Sequence, residues 1–507
     1  MIQLWNPKYR EARDPSTSTG QALGHPTVSK GALPSPFLHS VISGTIQKKW
    51  EGFITMMRIS RNNPIPLQNI GLSRFPQNSS FLPTIQACSQ IELEFKYVPS
   101  EAAKLAAPEE GEHLLTSIDL FCGAGGLTEG FRQGGFRCLY GNDNNPFAIE
   151  TFKQNHTDTW ADLSPIEQVD TRLIRRKLGL RKGELSVLTG GPPCQGFSIN
   201  APERFLDDPR NALFKHYLRF IDEFEPQALV FENVPGMLSL ADGHIFERVL
   251  KELEVREYQL SAKILFAGHY GVPQERWRLI ILGTRGHGAL QHPEPTHYAV
   301  GRANFRGGRS LTFRLSPLDK MRLRPNVTVA DAISDLPRLK MGDGGETVRY
   351  DRKAASDYAK IMRNGNKETY NHLAAVLAPQ NVVRLKYIKP GGSWRDIPHH
   401  LLPKGMQRAR TSDHTRRYGR LRADGLAGTI MTKCDPHWGP VFLPDQDRAL
   451  TVREAARLQS FPDCYKFLGP RVSQYEQVGN AVPVLMAKAI AATIKQHLAA
   501  SISVGAA

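Results

Sequence analysis

Residues 117–126 read Ser117-Ile118-Asp119-Leu120-Phe121-Cys122-Gly123-Ala124-Gly125-Gly126. An apolar run that favours a strand passes into a glycine-rich turn, and a helical pattern follows over 127–131. Glycine allows backbone amides to approach a ligand at the N-terminus of a helix. The stretch therefore predicts the first strand, turn and helix of a doubly wound, Rossmann-like α/β sheet with a ligand bound at the turn.

Two aspartates follow this turn where later strands of such a sheet are predicted to end. Asp143 lies about 20 residues after the glycines, the separation at which a carboxylate binds ribose hydroxyls. Asp162 is predicted to end the third strand. Each aspartate taken singly also fits a solvated loop, so the pair supports a ligand site only together with the glycine turn.

A single cysteine stands in Gly190-Gly191-Pro192-Pro193-Cys194-Gln195-Gly196-Phe197-Ser198. The apolar run 185–188 is typical of a buried strand. Cys194 is therefore predicted just past the carboxyl end of a strand, where open α/β sheets bind ligands. The rigid proline pair before it and the glycine after it indicate a presented nucleophile.

The motifs of the chain, taken in order, resemble those of the DNA cytosine-5 methyltransferase family. The segment around Cys194 is similar to the motif that holds the nucleophile in that family. The other four are Phe231-Glu232-Asn233-Val234, Gln274-Glu275-Arg276-Trp277-Arg278, the stretch from Thr451 to Pro462, and Gln477-Val478-Gly479-Asn480-Ala481-Val482-Pro483. The resemblance covers about 117–498. It is specific because all five motifs occur in the order found in the family, whereas any one of them could occur by chance.

The chemistry of this reaction explains the residue types. Cytosine C5 is a poor nucleophile, and addition of a thiolate at C6, here by Cys194, supplies the missing electron density. Negative charge then builds toward N3, where Glu232 is predicted to donate a proton or a strong hydrogen bond. The resemblance implies that Arg278 contacts the base O2 and orients Glu232, while Arg276 supports the pocket. A structural ion pair is the other interpretation of these charged side chains.

The resemblance also implies that the methyl donor is S-adenosyl-L-methionine. It assigns Phe121 to the adenine, Asp143 to the ribose and Asp162 to the adenine amino group, with Asn480 and Pro192 in the surroundings. The full predicted cofactor-binding set is Asp119, Phe121, Gly123, Gly125, Gly126, Asp143, Asp162, Pro192 and Asn480.

The chain has 507 residues and a formal charge of +16, and that charge is unevenly distributed. Between Arg285 and Arg422, Lys and Arg outnumber Asp and Glu by more than two to one, and the excess of positive charge in this region equals that of the whole chain. Such a block suits a polyanion partner, here double-stranded DNA, although solvated surface charge is the other interpretation. The arginines Arg314, Arg322, Arg324, Arg384, Arg395, Arg408, Arg410, Arg416, Arg417 and Arg420 are interspersed with Trp394, His399, His400 and Tyr418.

Four regions follow from this pass along the chain. Residues 1–111 form an N-terminal extension that is partly disordered, and 112–284 form the catalytic methyltransferase domain. The basic region 285–444 corresponds to the smaller, irregular target recognition domain of the family. The last segment, 445–507, is predicted to return and complete the catalytic domain.

Three functions remain open at this stage. The favoured one is a sequence-specific DNA methyltransferase that flips its cytosine out of the duplex; the others are a transfer-RNA methyltransferase and a non-catalytic DNA-binding protein on the same scaffold. Six cysteines show no metal-ligand or disulfide spacing, and we predict neither a metal site nor a membrane segment. The resemblance implies a cytoplasmic monomer of a restriction-modification system, with a cognate restriction endonuclease acting separately.

Overall fold

The computed structural model describes residues 114–193 and 212–505, except for 287, 304, 306, 307, 411, 414 and 415. Cys194 and the predicted N-terminal extension 1–111 therefore lie outside the described residues.

The first half of the described chain alternates strands and helices. Its strands are β1 (Leu115–Leu120), β2 (Phe136–Asn142), β3 (Trp160–Asp162), β4 (Val187–Gly190), β5 (Ala228–Asn233), β6 (Tyr258–Phe266) and β7 (Trp277–Arg285). The helices between them are α1 (Gly126–Gln133), α2 (Pro146–Asn155), α3 (Thr171–Lys177), α4 (Ala212–Phe224) and α5 (His244–Glu254).

These strands form one seven-stranded sheet in the order β3-β2-β1-β4-β5-β7-β6. The first five strands are parallel to one another. Strands β6 and β7 pair antiparallel at the edge of the sheet, and β7 lies between β5 and β6. The connection between these two strands is too short for the helical crossover that a parallel pair needs. The doubly wound Rossmann-like fold is confirmed.

Helices cover both faces of the sheet because alternate strand residues point to opposite sides. In β5, Leu229 and Phe231 belong to the core formed with α4 and α5, whereas Ala228 and Val230 belong to the core on the opposite face. Strands that are buried on both faces have continuous apolar runs, which explains why these segments could be predicted from the sequence.

The last helix, α12 (Val484–Gly505), packs against α1. A stripe of glycines on α1 makes the close approach possible. A Cβ atom at Gly130 would lie 2.3 Å from the Cβ of Ala487, and one at Gly134 would lie 2.5 Å from the Cβ of Ala491. Small residues on both helices therefore set the distance between them.

The region after β7 consists of short elements, as expected for the irregular domain. Its strands are β8 (His297–Tyr298), β9 (Arg324–Pro325), β10 (Gly344–Arg349), β11 (Glu368–Leu373), β12 (Gly419–Arg420) and β13 (Pro440–Phe442). Its helices are α6 (Asp319–Arg322), α7 (Val329–Ile333), α8 (Asp357–Arg363) and α9 (Pro379–Leu385), and α10 (Val452–Leu458) and α11 (Arg471–Asn480) then precede α12.

The motif from Thr451 to Pro462 contains buried charges. Thr451 caps α10 through a reciprocal capping box with Glu454, which satisfies free amides at the start of the helix. Arg457 is fully buried and donates to Asp463 at 2.5 and 2.6 Å and to Asp335 at 3.1 Å. Breaking a buried pair of this kind typically costs 3–5 kcal/mol because one charge is left without its partner. Arg457 thus joins α10 to the segment that follows α7 and to the segment that follows the motif.

Two groups of apolar residues are packed in the core. Segment 471–500, which includes most of α12, is long and apolar enough by composition to cross a membrane, and 67% of its most apolar window is buried inside the protein. This apolar run is long because much of α12 packs into the core of the protein. In the basic region, Trp394 and Tyr418, which are interspersed with arginines in the sequence, are buried in the core.

Candidate active site

A cavity of about 480 Å³ opens at the carboxyl ends of β1, β2, β4 and β5. This is the edge at which doubly wound sheets bind their ligands. Most of the predicted site residues line it together: Phe121, Gly123, Gly126, Asp143, Pro192, Glu232, Arg278 and Asn480.

The glycine turn forms one end of the cavity. Phe121, directly after β1, has a φ of 56° and Gly123 a φ of 55°. A positive φ is costly for a residue with a side chain, so Phe121 is held in a strained turn. The Gly123 amide donates to Asp143 Oδ2 at 2.9 Å, and the Asn145 amide donates to Oδ1 at 2.9 Å. Burial raises the pKa of Asp143, and these backbone hydrogen bonds oppose that rise.

A buried polar chain supports the same turn from behind. The Tyr465 hydroxyl donates to the carbonyl oxygen of Ala124, and His156 Nε2 lies 3.0 Å from that hydroxyl. Because the single hydroxyl proton serves Ala124, we assign Nε2 of His156 as the donor to Tyr465. Burial lowers the pKa of His156 to about 4, so the imidazole is neutral at pH 7. Gly125 lies directly against this chain, since a Cβ there would be 2.7 Å from both ring and hydroxyl.

An ion pair forms the opposite end. Arg278 Nε lies 2.7 Å from Glu232 Oε1, and both side chains are 13% exposed. Glu232 is near the end of β5 and Arg278 near the start of β7, and the antiparallel pairing of these strands brings the two together. Glu232 Oε2 faces Gly191, where a Cβ would lie 2.8 Å from this oxygen. Glycine at 191 therefore keeps Oε2 accessible.

Asn233 fixes the backbone that leads to Cys194. Its side-chain amide donates to the Pro192 carbonyl oxygen at 3.0 Å, and Pro192, Pro193 and Asn233 line the cavity. Cys194 itself lies outside the described residues, so its predicted position stays a prediction. Asn233 was not among the predicted site residues, although its place directly after Glu232 was a usable signal.

Arg276 occupies a different environment from Arg278. Arg276 is 1% exposed, does not line the cavity, and donates to the carbonyl oxygens of Ile430 at 3.3 Å and Gly479 at 2.8 Å. Burial lowers its pKa. Gln274 likewise holds the Ile430 amide and the Leu458 carbonyl oxygen. Gln274 and Arg276 thus join the sheet to the chain after β7, and of the residues in this motif only Arg278 lines the cavity.

Three predicted cofactor residues do not line the cavity. The Asp119 carboxylate is buried and accepts from Thr128 at 2.6 Å and Thr189 at 2.7 Å, and burial raises its pKa to about 6. Gly125 packs against His156. Asp162 accepts from the Tyr140 hydroxyl at 2.7 Å and from a backbone amide. Within the described ranges, no group of three or more His, Cys, Asp or Glu side chains is arranged to hold a metal ion.

Several arginines of the basic region also make internal contacts. Arg420 donates to Asp447 at 2.9 Å and to the Leu443 carbonyl oxygen at 3.0 Å. Arg384 donates to the Leu401 carbonyl oxygen at 2.7 Å, and Arg416 pairs with Glu275. The net charge of this region therefore overstates the number of its arginines that are free to meet a polyanion.

Comparisons with known proteins identify the family. The model of the C-5 cytosine-specific DNA methylase family matches residues 115–496. The chain is 36% identical to the type II methyltransferase M.AgeI of Thalassovita gelatinovora, over 75% of this chain and 99% of that protein. It is 33% identical to the type II methyltransferase M1.HphI of Haemophilus parahaemolyticus, over 75% and 86%.

Among solved structures, a prophage-encoded DNA modification methyltransferase from E. coli superimposes with a TM-score of 0.56 at 23% identity, covering 76% of this chain and 99% of that one. This similarity supports the fold. The family match extends over most of the chain and includes the ion pair and the glycine turn. The protein therefore belongs to the C-5 cytosine-specific DNA methylase family and is a DNA cytosine-5 methyltransferase.

Proposed function

We propose that this enzyme transfers a methyl group from S-adenosyl-L-methionine to C5 of cytosine at a specific site in double-stranded DNA. The observation that carries the proposal is the Glu232–Arg278 ion pair, which lines the same cavity as the glycine turn and Asp143. A single cavity therefore offers polar groups for a base at one end and for a nucleoside at the other.

The residues at the turn suit S-adenosyl-L-methionine. The Asp143 carboxylate would accept hydrogen bonds from the ribose hydroxyls of its adenosine, and Phe121 and Ile166 would contact the adenine ring. Asn480 and the backbone around Gly123 would serve the charged methionine end. When bound, the cofactor supplies an electrophilic methyl group. Asp119 and Gly125 would act indirectly by holding the turn, and the contact of Asp162 with the adenine stays a prediction.

Cys194 is the proposed nucleophile. Its sulfur adds to C6 of cytosine, and the electron pair of the C5–C6 double bond moves through the ring toward N3. Glu232 donates a proton or a strong hydrogen bond at N3, and its Oε2 is the available oxygen because Oε1 faces Arg278. C5 would then take the methyl group, whose bond to the donor sulfur breaks with the electron pair staying on that sulfur. Loss of the C5 proton, with water or hydroxide as the acceptor, would expel the Cys194 thiolate and restore the double bond.

This chemistry requires the target base to leave the duplex. The cytosine C5 atom inside stacked DNA is inaccessible to the cavity, so the nucleotide must be flipped out at a cost of roughly a few kcal/mol. We further propose that the enzyme acts as a monomer in the cytoplasm and that a cognate restriction endonuclease acts separately. The type II names of the two relatives support the restriction-modification role.

The test of this function begins with the recognition site. Cytosine-conversion sequencing of DNA from cells that express the protein identifies the methylated sequence. A duplex with 5-fluorocytosine at that position then traps a covalent adduct, because fluorine cannot leave C5 as a proton does. We expect the trapped adduct to map to Cys194 and to require S-adenosyl-L-methionine.

Two variants separate the roles of the residues. Cys194→Ser abolishes methylation and trapping while cofactor binding persists, and Glu232→Gln slows turnover by a factor of about 10²–10⁴ with much less effect on DNA affinity. Full turnover by Cys194→Ser would refute the nucleophile. Equal losses of turnover and DNA affinity in Glu232→Gln would make Glu232 structural. Methyl transfer to transfer RNA but not to duplex DNA would overturn the proposed substrate.

A further inference from the structure

A second cavity adjoins the catalytic one. It has a volume of about 380 Å³ and lies between β7, the segment after β5, and the basic region. Arg278 lines both cavities, so the ion pair with Glu232 stands at their common wall.

The walls of the second cavity provide positive charge. Arg302 is exposed and, within the described part of the chain, has no ion-pair partner. Arg416 also lines the cavity but pairs with Glu275, which is on the same wall. Arg302 is therefore the cation in this cavity that is available to an incoming anion. Hydroxyl groups of Ser239 and Thr429 complete the polar lining.

An aromatic wall faces these polar groups. The Trp277 ring stacks on Phe266 with centroids 4.4 Å apart, and Phe305 meets Trp277 edge-on at 5.6 Å. Trp277 and Phe305 line the cavity. An apolar face beside an unpaired cation fits a group that is itself half apolar and half anionic, such as a sugar phosphate.

The chemistry of cytosine determines which part of the substrate points toward this cavity. N3 of the ring is followed by C2, which carries O2, and then by N1, which carries the deoxyribose. If N3 meets Glu232, then O2 faces the neighbouring Arg278, and the sugar follows on the far side of O2. Arg278 lines the second cavity and Glu232 does not, so a group attached beyond O2 lies next to the second cavity.

We propose that the second cavity binds the deoxyribose phosphate adjoining the flipped cytosine, with Arg302 contacting the phosphate and the Trp277–Phe305 wall packing against the sugar. The proposal rests on the proposed function, because it takes its direction from a cytosine placed at Glu232. It assigns Arg302 to substrate binding rather than to base recognition.

The salt dependence of DNA binding tests this assignment. The full-length enzyme is titrated with duplex DNA containing its recognition site at several salt concentrations. Loss of one phosphate contact makes the slope of log K against log salt less negative by about 0.9, and we expect this change for Arg302→Gln. Arg349→Gln is the matched control, since Arg349 is an exposed arginine of the same basic region on β10 that lines neither cavity.

A chemically neutralised phosphate makes the test specific. Duplexes carry a single methylphosphonate on either side of the target cytosine. At one of the two positions we expect the substitution to weaken binding by the wild type and by Arg349→Gln about tenfold, and to have almost no effect on Arg302→Gln. If Arg302→Gln keeps the wild-type slope and the full methylphosphonate response, the inference is overturned while DNA methylation stands. A wild type that methylates no duplex DNA overturns the proposed function as well.

Discussion

Acidification is expected to destabilise the protein through His156, the buried imidazole behind the glycine turn. Its pKa is lowered to about 4 by burial, whereas an unfolded chain has a histidine pKa of about 6.5. The native state therefore favours the neutral ring. The contribution of the neutral His156 ring to the free energy of unfolding is fully present above the histidine pKa of the unfolded chain. It is lost as the pH falls from about 6.5 toward about 4.

The size of the effect follows from these two pKa values. Between pH 7 and pH 5 the unfolded state takes up a proton that the native state takes up only to a small extent, which costs about 2 kcal/mol of unfolding free energy. His269 and His292 also have pKa values lowered to about 4 by burial. On acidification the whole protein therefore loses more unfolding free energy than His156 alone accounts for. A comparison of two proteins that differ only at residue 156 is needed to isolate the contribution of His156.

The variant His156→Gln supplies that difference. A glutamine amide retains a donor for the Tyr465 hydroxyl but does not titrate. Denaturant unfolding of the wild type and the variant at pH 7 and pH 5 gives four free energies, and we expect the advantage of the wild type to shrink by about 2 kcal/mol on acidification. If the difference between the two proteins is the same at both pH values, His156 does not titrate as its burial requires and the reasoning is wrong.

Three further predictions concern packing and binding. Gly130→Ala lowers unfolding free energy by about 1–3 kcal/mol through contact with Ala487, and adding Ala487→Gly recovers part of the loss in thermal unfolding; an unchanged melting temperature in the single variant would contradict the close helix contact. Asp143→Asn weakens cofactor binding in calorimetry far more than Asp162→Asn, because only Asp143 lines the cavity; a larger effect at Asp162 would reverse this order. In Arg276→Lys the single ammonium group cannot reach the carbonyl oxygens of both Ile430 and Gly479, so we expect a loss of about 1–3 kcal/mol of unfolding free energy in denaturant unfolding. If only the positive charge at this position matters, the variant will be as stable as the wild type.

Local patterns were sufficient to predict the sheet and the ends of its strands. Apolar runs such as 228–231 are buried on both faces, and residues that follow such runs meet at one edge because the strands are parallel. This is why Phe121, Asp143 and Glu232 could be placed at one site from the sequence. The antiparallel edge followed from the length of a single connection.

The distribution of charges could not be predicted in the same way. Arg276 and Arg278 are two residues apart, yet one bridges two carbonyl oxygens in the core and the other meets Glu232. Asp119 and Asp162 carry carboxylates at predicted positions, but partners such as Thr189 and Tyr140 turn them away from the cavity. These outcomes depend on contacts between residues far apart in the sequence, which neither composition nor spacing records.

The packing of α12 on α1 has a consequence for the synthesis of the protein. The glycine stripe of α1 leaves the ribosome long before Ala487 and Ala491 are translated, since α1 ends at Gln133 and α12 begins at Val484. At roughly 5–20 residues per second, the apolar face of the nascent sheet stays exposed for tens of seconds before α12 is synthesised and can pack against it. The yield of active enzyme would then depend on a chaperone that shields this face or on a translational pause before α12. A nascent chain arrested before α12 would contain all seven strands of the large sheet but would lack the helix that closes the core.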